Sequence, residues 1–282
     1  MKSLRKWWRQ YRYRFVPWLA LNLRNRSVRA VDGSTDDKLI PDNDVLVSLE
    51  TLFKALFDVH PQSQYLREHM KKPVPDVSLK EHQAAPVDMI HKRSLCLMRQ
   101  ISGFCIERKP SKIPGCGTGV IVTKGTVPKH AIVAMYPGLI YYPYDPVLLQ
   151  SVGNPFIFRC VDGLFIDGND KGLSKFLYRS CAGRDRLGPF DLCDKTWLTV
   201  YPKNPLAVGQ YVNNHNKDFP ANVCYQECNL PTEFALHLRQ YVPNVFYRTP
   251  DMLQCVRMVA LVSLREIAQG EELFSSYFTM IH

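Results

Sequence analysis

The sequence predicts a mainly β fold with a helical N-terminal extension, on three observations. From Gly115 onward, short runs rich in Val, Ile, Phe and Tyr alternate with Gly, Pro and Asp, a pattern typical of short strands joined by turns. Before that point, apolar residues recur at helical spacing after Asp42. The length of 282 residues, with 46% hydrophobic residues, suits one large domain plus an extension.

The first 31 residues form a basic aromatic arm. The formal net charge of the chain is +10, and residues 1–31 carry nine Lys or Arg and no acid, so the remainder is close to neutral. Three interpretations stay open for the arm: a solvated tail, a segment that docks on an acidic partner, or an Arg-rich mitochondrial targeting peptide. Its interleaved aromatic residues need a surface to pack against.

Residues 32–88 are predicted to form a helical extension and a linker. Asp42 is placed as the N-cap of an amphipathic helix whose apolar face is Val45, Leu49, Leu52 and Leu56. Residues 71–88 contain three prolines and little periodicity, which indicates a linker. Residues 89–106 suit either a second helix or a helix followed by the first strand of the next domain.

The β-rich part of the chain is predicted from Gly115 onward. Its strand candidates are GVIVTK (119–124), AIVAMYP (131–137), FIFRC (156–160), LFIDG (164–168) and CVRMVALVSL (255–264). The third and fourth form a hairpin around Asp162-Gly163, a turn pair that tolerates positive φ. Residues 169–203 are a polar insertion of unspecified structure, and residues 231–241 suit a short helix.

The composition also limits location and metal content. No run of eighteen apolar residues exists, so no membrane span is expected. Nine cysteines at irregular spacing, with no CxxC pair, indicate reduced thiols that mostly fill the core of an intracellular protein, and no zinc site is expected. Nucleus or cytoplasm is the expected location; the alternative is the mitochondrion, reached through residues 1–31.

Two polar motifs are candidates for ligand binding. The run Gly115-Cys116-Gly117-Thr118-Gly119 follows a charged, proline-broken segment, which excludes a nucleotide-binding fold because that fold requires an apolar strand before the glycines. A glycine turn before a strand still lets the backbone approach a ligand closely. The second motif is the pair Asn213-Asn214, which ends the apolar run LAVGQYV (206–212).

Four blocks in order carry a resemblance: GTGVIVTKGTVPKHAIVAMYPG (117–138), FIDG (165–168), LAVGQYVNNH (206–215) and IAQGEELFSSYF (267–278). Over residues 95–282 this succession resembles the SET-domain family of protein-lysine methyltransferases. The resemblance implies several small curved sheets with a C-terminal pseudoknot, in which the central-motif strand passes under a loop made by the C-terminal segment. It implies S-adenosyl-L-methionine as cofactor and a protein lysine as methyl acceptor.

The resemblance also assigns roles residue by residue. Gly117, Thr118 and Gly119 would present backbone to the cofactor, and Asn213 and Asn214 would contact it. Tyr277 would lie beside the transferring methyl group, touching the cofactor as well. Tyr136 would line the substrate channel. Tyr277 and Tyr136 are therefore the candidate catalytic residues, and no residue is assigned to a metal.

The chain departs from the family pattern at several positions. Asn214 stands for His, His215-Asn216 for Ser-Cys, Gln210-Tyr211 for Arg-Phe, Ala221 for Pro and Ser276 for Asp. Asparagine can replace a histidine hydrogen bond but cannot titrate. No cysteine-rich segment follows Tyr277, so another element is expected to cover the substrate channel. Two functions remain open: a protein-lysine methyltransferase, or a SET-fold binding module that docks a partner through its basic arm.

Overall fold

The computed structural model describes residues 11–14, 29–31, 38–60, 63–70, 86–248 and 255–281. Its strands are β1 Tyr11–Arg14, β2 Arg29–Val31, β3 Phe104–Pro110, β4 Thr118–Gly125, β5 Ile132–Met135, β6 Gly138–Tyr141, β7 Ile157–Arg159, β8 Phe165–Asp167, β9 Arg186–Leu187, β10 Phe190–Asp191, β11 Asn213–Asn214, β12 Val223–Leu230, β13 Asn244–Phe246, β14 Val256–Ser263, β15 Phe274–Ser275 and β16 Phe278–Ile281. Its α-helices are α1 Asp42–Asp58, α2 Ser63–Met70, α3 Val87–Ser102, α4 Leu148–Ser151 and α5 Gly172–Arg184. Within the described residues, short 3₁₀ helices span Thr196–Leu198, Gly209–Tyr211 and Leu236–Tyr241.

The strands assemble into several small sheets. A seven-stranded sheet has the order β13-β6-β8-β7-β1-β16-β2, and a five-stranded sheet has the order β11-β15-β12-β14-β5. Two hairpins, β3-β4 and β9-β10, form separate two-stranded sheets. The prediction of a mainly β fold with a helical N-terminal extension is confirmed.

The predicted strands are confirmed with boundaries shifted by one or two residues. The hairpin around Asp162-Gly163 joins β7 to β8 in antiparallel register, with Gly163 at φ +94°. Its turn is closed by hydrogen bonds from Cys160 N to Leu164 O (2.8 Å) and from Gly163 N to Cys160 O (3.1 Å). Glycine supplies this positive φ without steric cost, which is why the turn forms here.

Helix α1 packs on the β domain through the apolar face that its periodicity predicts. Its buried residues are Val45, Leu49, Leu52, Phe53, Leu56 and Phe57. The placement of Asp42 as N-cap is wrong: the helix begins at Asp42, the preceding residue is Pro41, and no side chain caps the first turn. The Asp42 carboxylate instead accepts a hydrogen bond from Lys38 Nζ at 2.5 Å.

A buried glutamine ties the segment before α1 to the five-stranded sheet. The Gln226 side chain on β12 accepts hydrogen bonds from Leu39 N (3.0 Å) and Ile40 N (3.3 Å), and it donates one to Ile40 O (2.7 Å). Because a buried amide needs such partners, the segment before α1 and the β domain are joined by hydrogen bonds as well as by an apolar interface.

The remaining sequence predictions resolve in several ways. Residues 89–106 form a helix followed by a strand, since α3 ends at Ser102 with Gly103 in the left-handed conformation and β3 follows. The insertion 169–203 contains α5, the β9-β10 hairpin and one 3₁₀ helix. The predicted linker lies mostly in residues 71–85, outside the described residues. None of the described helices has the length and apolar character needed to cross a bilayer.

The cysteines are all free thiols, and most fill the core. Six are buried and three are exposed, namely Cys96, Cys116 and Cys255. Cys160, with Asp162 and Glu227, forms the single group of potential metal ligands found among the described residues. Arg257 occupies this group, because its guanidinium donates to Glu227 at 2.5 Å and to Asp162 at 2.6 Å. The Arg257 guanidinium therefore already pairs with both carboxylates.

Replacing Phe53 with alanine tests whether α1 belongs to the main core. Phe53 is fully buried and packs against Phe234 and Tyr241, with ring centroids 6.4 and 5.6 Å away. Phe53→Ala is expected to lower the free energy of unfolding by about 3–5 kcal/mol, because it removes buried apolar area and leaves a cavity. Urea denaturation measures this. The control Val47→Ala changes a 53% exposed residue of the same helix. It is expected to stay within about 0.5 kcal/mol of wild type, and equal effects of the two substitutions would contradict the packing.

Candidate functional site

The site is built where the C-terminal segment enters the five-stranded sheet. Strand β15 pairs in parallel with β11, aligning Asn213 with Phe274 and Asn214 with Ser275, and it pairs on its other side with β12. Residues 274–275 therefore lie between two segments that precede them by roughly fifty to sixty residues in sequence. This insertion of the C-terminal segment beside the Asn213-Asn214 strand is the arrangement that the sequence resemblance implies.

Asn222 holds the inserted segment from the β12 side. Its side chain donates to Glu272 O at 2.8 Å and accepts from Phe274 N at 2.8 Å, and its backbone N donates to Phe274 O at 2.9 Å. Asn222 is 1% exposed. A buried amide with both side-chain groups paired in this way extends the sheet by one more set of hydrogen bonds.

Glu272 links the inserted segment to the glycine turn. Its carboxylate is 2% exposed and accepts hydrogen bonds from Ser111 Oγ (2.8 Å), Lys112 N (2.6 Å) and Asn213 Nδ2 (3.2 Å). A Cβ placed on Gly119 would lie 2.1 Å from Glu272 Oε1. Glycine is therefore required at position 119 by the carboxylate that packs against it.

The glycine turn and the asparagine strand are joined directly as well. Asn213 Nδ2 donates to Thr118 O at 3.1 Å. The backbone of the C-terminal segment also pairs with β4, through Val122 N to Glu271 O (2.9 Å) and Leu273 N to Val120 O (2.8 Å). The structure thus brings Thr118, Gly119 and Asn213 into contact around one carboxylate.

Tyr277 is anchored on the asparagine strand at two points. Its backbone N donates to Asn214 Oδ1 at 2.9 Å, and its hydroxyl donates to Val212 O at 3.0 Å. Asn214 therefore performs a positioning role at the place where the family pattern has histidine. The neighbouring His215 donates its backbone N to Ser275 O at 2.9 Å, and burial lowers the pKa of its imidazole.

Tyr136 lies deeper than the other predicted residues. It is fully buried, and its hydroxyl donates to Phe156 O at 2.7 Å. Its ring packs against Phe158 (5.1 Å) and Tyr225 (6.1 Å). Tyr225 in turn accepts a hydrogen bond from Ser275 Oγ at 3.0 Å, two residues before Tyr277. Tyr136 is therefore connected to the Tyr277 segment by way of the Tyr225 side chain, on the buried side of the site.

The fit of the predicted cofactor rests on open space and on side-chain groups that the protein leaves available. A Cβ built on Gly115 or Gly117 meets no atom within 4 Å, so the turn has room beside its backbone. Asn213 Oδ1 and Asn214 Nδ2 have no hydrogen-bond partner within the part of the chain that the structure describes, and both residues are partly exposed. One acceptor and one donor are thus offered on adjacent residues, which suits a polar ligand.

Sequence reasoning missed the residues that hold the site together. Glu272 belongs to the quoted closing block, yet its sequence does not distinguish it from Glu271, which is partly exposed and bonded to Arg265 at 2.7 Å. That contact lowers the pKa of the Glu271 carboxyl. Strand alternation predicts only that one of the two adjacent glutamates faces inward. Because both Glu272 and Leu273 are buried, the alternation does not indicate which one.

No model of a known protein family matches the chain. The chain is similar to SET domain-containing protein 9 of Homo sapiens, at 49% identity over an alignment 294 residues long that covers 100% of this chain and 98% of the human protein. It is also similar to SET domain-containing protein 9 of Pongo abelii, at 48% identity over 90% of this chain and 97% of that protein.

Among solved structures, two with low similarity are forms of Polycomb Repressive Complex 2. A humanized mutant of the Chaetomium thermophilum complex, bound to the inhibitor GSK343, matches with a TM-score of 0.33 and 13% identity, over 61% of this chain and 15% of that chain. The autoinhibited complex bound to S-adenosylmethionine gives 0.33 and 12%, over 66% and 16%. At these scores neither structure bears on the placement of the site.

Replacing Gly119 with alanine tests the contact with Glu272. Because the new Cβ overlaps the carboxylate, either Glu272 or β4 must shift. Gly119→Ala is expected to lower the free energy of unfolding by about 1–3 kcal/mol, the usual cost of overpacking a buried position. Chemical denaturation at neutral pH measures it.

The matched control for this substitution is Gly183→Ala. Gly183 lies in α5, where an added Cβ meets nothing within 4 Å. The control is expected to raise stability by up to about 1 kcal/mol, because alanine has the higher helix propensity. Wild-type stability in Gly119→Ala would show that Glu272 does not pack against this turn.

Proposed function

Because the chain belongs to the family of SET domain-containing protein 9, we propose that it transfers a methyl group from S-adenosyl-L-methionine to a lysine side chain of a protein substrate. The observation that carries the proposal is the convergence of the Gly117–Gly119 turn, the pair Asn213-Asn214 and Tyr277 around the inserted C-terminal segment. These elements are far apart in sequence, and each was assigned to the same ligand from its own motif.

The cofactor would be held by the turn and the asparagines. Gly117 leaves open space beside its backbone, Asn213 Oδ1 would accept a hydrogen bond from the cofactor, and Asn214 Nδ2 would donate one to it. When bound, S-adenosyl-L-methionine supplies an electrophilic methyl group on a sulfonium centre. The other tasks fall to the protein, which must orient the acceptor amine and keep it neutral.

Keeping the amine neutral is a matter of its surroundings. A lysine has a pKa of about 10.4 in water. Removing it from water and placing it near a cation lowers that pKa, since both disfavour the ammonium form. We assign Tyr277 to the surface that would surround the acceptor amine. Because its hydroxyl donates its hydrogen to Val212 O, the phenolic oxygen can accept a hydrogen bond from the incoming amine.

The protein must also align the acceptor amine with the methyl group of the cofactor. Holding two reactants in near-attack geometry is worth roughly 7–11 kcal/mol in favourable cases. Both attachments of Tyr277, at Asn214 Oδ1 and Val212 O, fix the position of its ring relative to the cofactor-binding strand. Tyr136 is the second residue that we assign to substrate alignment. With its hydroxyl bonded to Phe156 O, it would support the buried side of the substrate channel.

The departures from the family pattern support an alternative, a SET-fold module that binds a partner with little or no catalysis. One observation argues that asparagine at position 214 does not by itself abolish activity. Its side-chain oxygen accepts a hydrogen bond from Tyr277 N, and this contact needs no titratable group. The two functions differ in one measurable property, the uptake of S-adenosyl-L-methionine by the purified protein.

Calorimetric titration of S-adenosyl-L-methionine tests the cofactor site. Wild type is expected to bind, and Asn213→Ala is expected to bind at least about tenfold more weakly, equivalent to a loss of about 1.4 kcal/mol. The control is Asn229→Ala, which removes an exposed asparagine bonded to Arg257 Nε on β12. Since Asn213 also donates to Glu272, thermal unfolding of each variant is measured alongside. A folded wild type without affinity for the cofactor would refute the methyltransferase and favour the binding module.

Replacing Tyr277 with phenylalanine tests the catalytic assignment. Tyr277→Phe keeps the ring and the backbone bond to Asn214 and removes only the hydroxyl that reaches Val212 O. Cofactor affinity is expected to stay within about twofold, while turnover on a methyl-acceptor peptide library falls about a hundredfold, because the amine loses its orienting group. Tyr144→Phe, which changes a 67% exposed tyrosine, serves as control. Unchanged turnover in Tyr277→Phe would remove Tyr277 from the reaction.

A further inference from the structure

The C-terminal strand β16 lies between two strands of the basic arm. It pairs antiparallel with β1, where Tyr11, Arg12 and Tyr13 align with Met280, Thr279 and Phe278. On its other side it pairs in parallel with β2, with Ala30 opposite Met280. In the seven-stranded sheet both neighbours of β16 therefore come from the first 31 residues.

Strand β16 begins at the residue after Tyr277. On its N-terminal side Tyr277 is preceded by β15, and it is held by the bonds from its own backbone and hydroxyl to Asn214 and Val212. On its C-terminal side, the pairing of β16 with the arm determines where the chain runs. A strand that lost both neighbours would expose its backbone N–H and C=O groups to water, and its position would no longer be fixed.

Strand β1 also reaches the other half of the site. Besides β16 it pairs with β7, aligning Arg14 with Phe158. Phe158 packs against both Tyr136 and Tyr225, with ring centroids 5.1 Å away in each case. One short strand therefore lies between the segment that packs on Tyr136 and the segment that follows Tyr277.

We propose that β1 and β2 act as an intramolecular strand clamp that positions Tyr277, so that the basic arm is a structural part of the active site. The importance of Tyr277 rests on the proposed function, whereas the clamp is a statement about backbone pairing that stands without it. The clamp gives residues 11–14 and 29–31 a role that a solvated tail lacks. A targeting peptide cleaved after residue 31 would remove both strands and release β16.

The clamp depends on backbone groups and not on the charge of the arm. Each of the pairings above is a strand register, formed by main-chain N–H and C=O. Tyr13 is the position that separates the two possibilities, because it aligns with Phe278 on one side and with Arg159 on the other. Proline there has no N–H to donate to either neighbour, and it is not tolerated in central strands.

Hydrogen–deuterium exchange of the full chain, read by mass spectrometry, tests the clamp. Tyr13→Pro is compared with Tyr13→Val, which also loses the tyrosine ring but keeps the N–H and a strong strand propensity. In Tyr13→Pro, peptides covering residues 274–281 are expected to exchange at least about tenfold faster than in wild type, whereas Tyr13→Val and the charge-neutralising double variant Arg12→Gln/Arg14→Gln stay within about twofold. Cofactor affinity of the same proteins is measured by titration, and it is expected to fall only in the proline variant.

Peptides from β12 and β14 report on the core, since these strands pair with each other over eight residues away from the arm. Unchanged exchange of residues 274–281 in Tyr13→Pro overturns the clamp, and so does acceleration by the charge variant alone. If peptides from β12 and β14 also exchange faster, the proline variant has unfolded, and the test is then made on the wild-type chain. In wild type, residues 11–14 and 278–281 must exchange slowly and at the same rate. Rapid exchange of either segment overturns the proposal, whether or not the protein binds S-adenosyl-L-methionine.

Discussion

The buried Glu272 carboxylate is the interaction on which the site depends. It gathers Ser111, Lys112 and Asn213 and fills the space that Gly119 leaves. A buried carboxylate requires several donors, because burying a charge without them is costly. Meeting that requirement fixes the β3–β4 turn, the asparagine strand and the C-terminal segment relative to one another, and it places Asn213 beside the glycine turn.

Glu272 and Tyr277 lie in the same short segment near the C-terminus. This segment therefore affects both the glycine turn and the position of the candidate catalytic tyrosine. Within a few residues the chain crosses β4, passes between β11 and β12, and ends in β16 of the other large sheet. Residues 271–281 therefore connect the two sheets. Tyr277 lies between the part of this segment that pairs with β11 and β12 and the part that forms β16. A substitution that loosens either pairing is therefore expected to change the position of Tyr277.

The helical extension and the arm are integral to this domain in different ways. Helix α1 contributes apolar side chains to the main core, and Gln226 satisfies the backbone of Leu39 and Ile40 before the helix begins. The arm contributes backbone, through β1 and β2, to the sheet that contains β6, β7 and β8. Chain segments that look like appendages in the sequence thus supply both a core surface and sheet partners to the β domain.

The sequence by itself determined five of the strands that follow Gly115, the apolar face of α1, the hairpin at Gly163 and the residues of the four motif blocks, because these depend on local periodicity, turn chemistry and a recognisable succession of residues. Tertiary structure decided which of two adjacent glutamates is buried, that Asn214 supports the Tyr277 backbone, that Tyr136 bonds to Phe156 O, and that the basic arm pairs with β16. Each of these joins residues between some twenty and more than two hundred and fifty positions apart. Such pairings leave no local signal, since a strand can satisfy its backbone with any partner that the fold brings beside it.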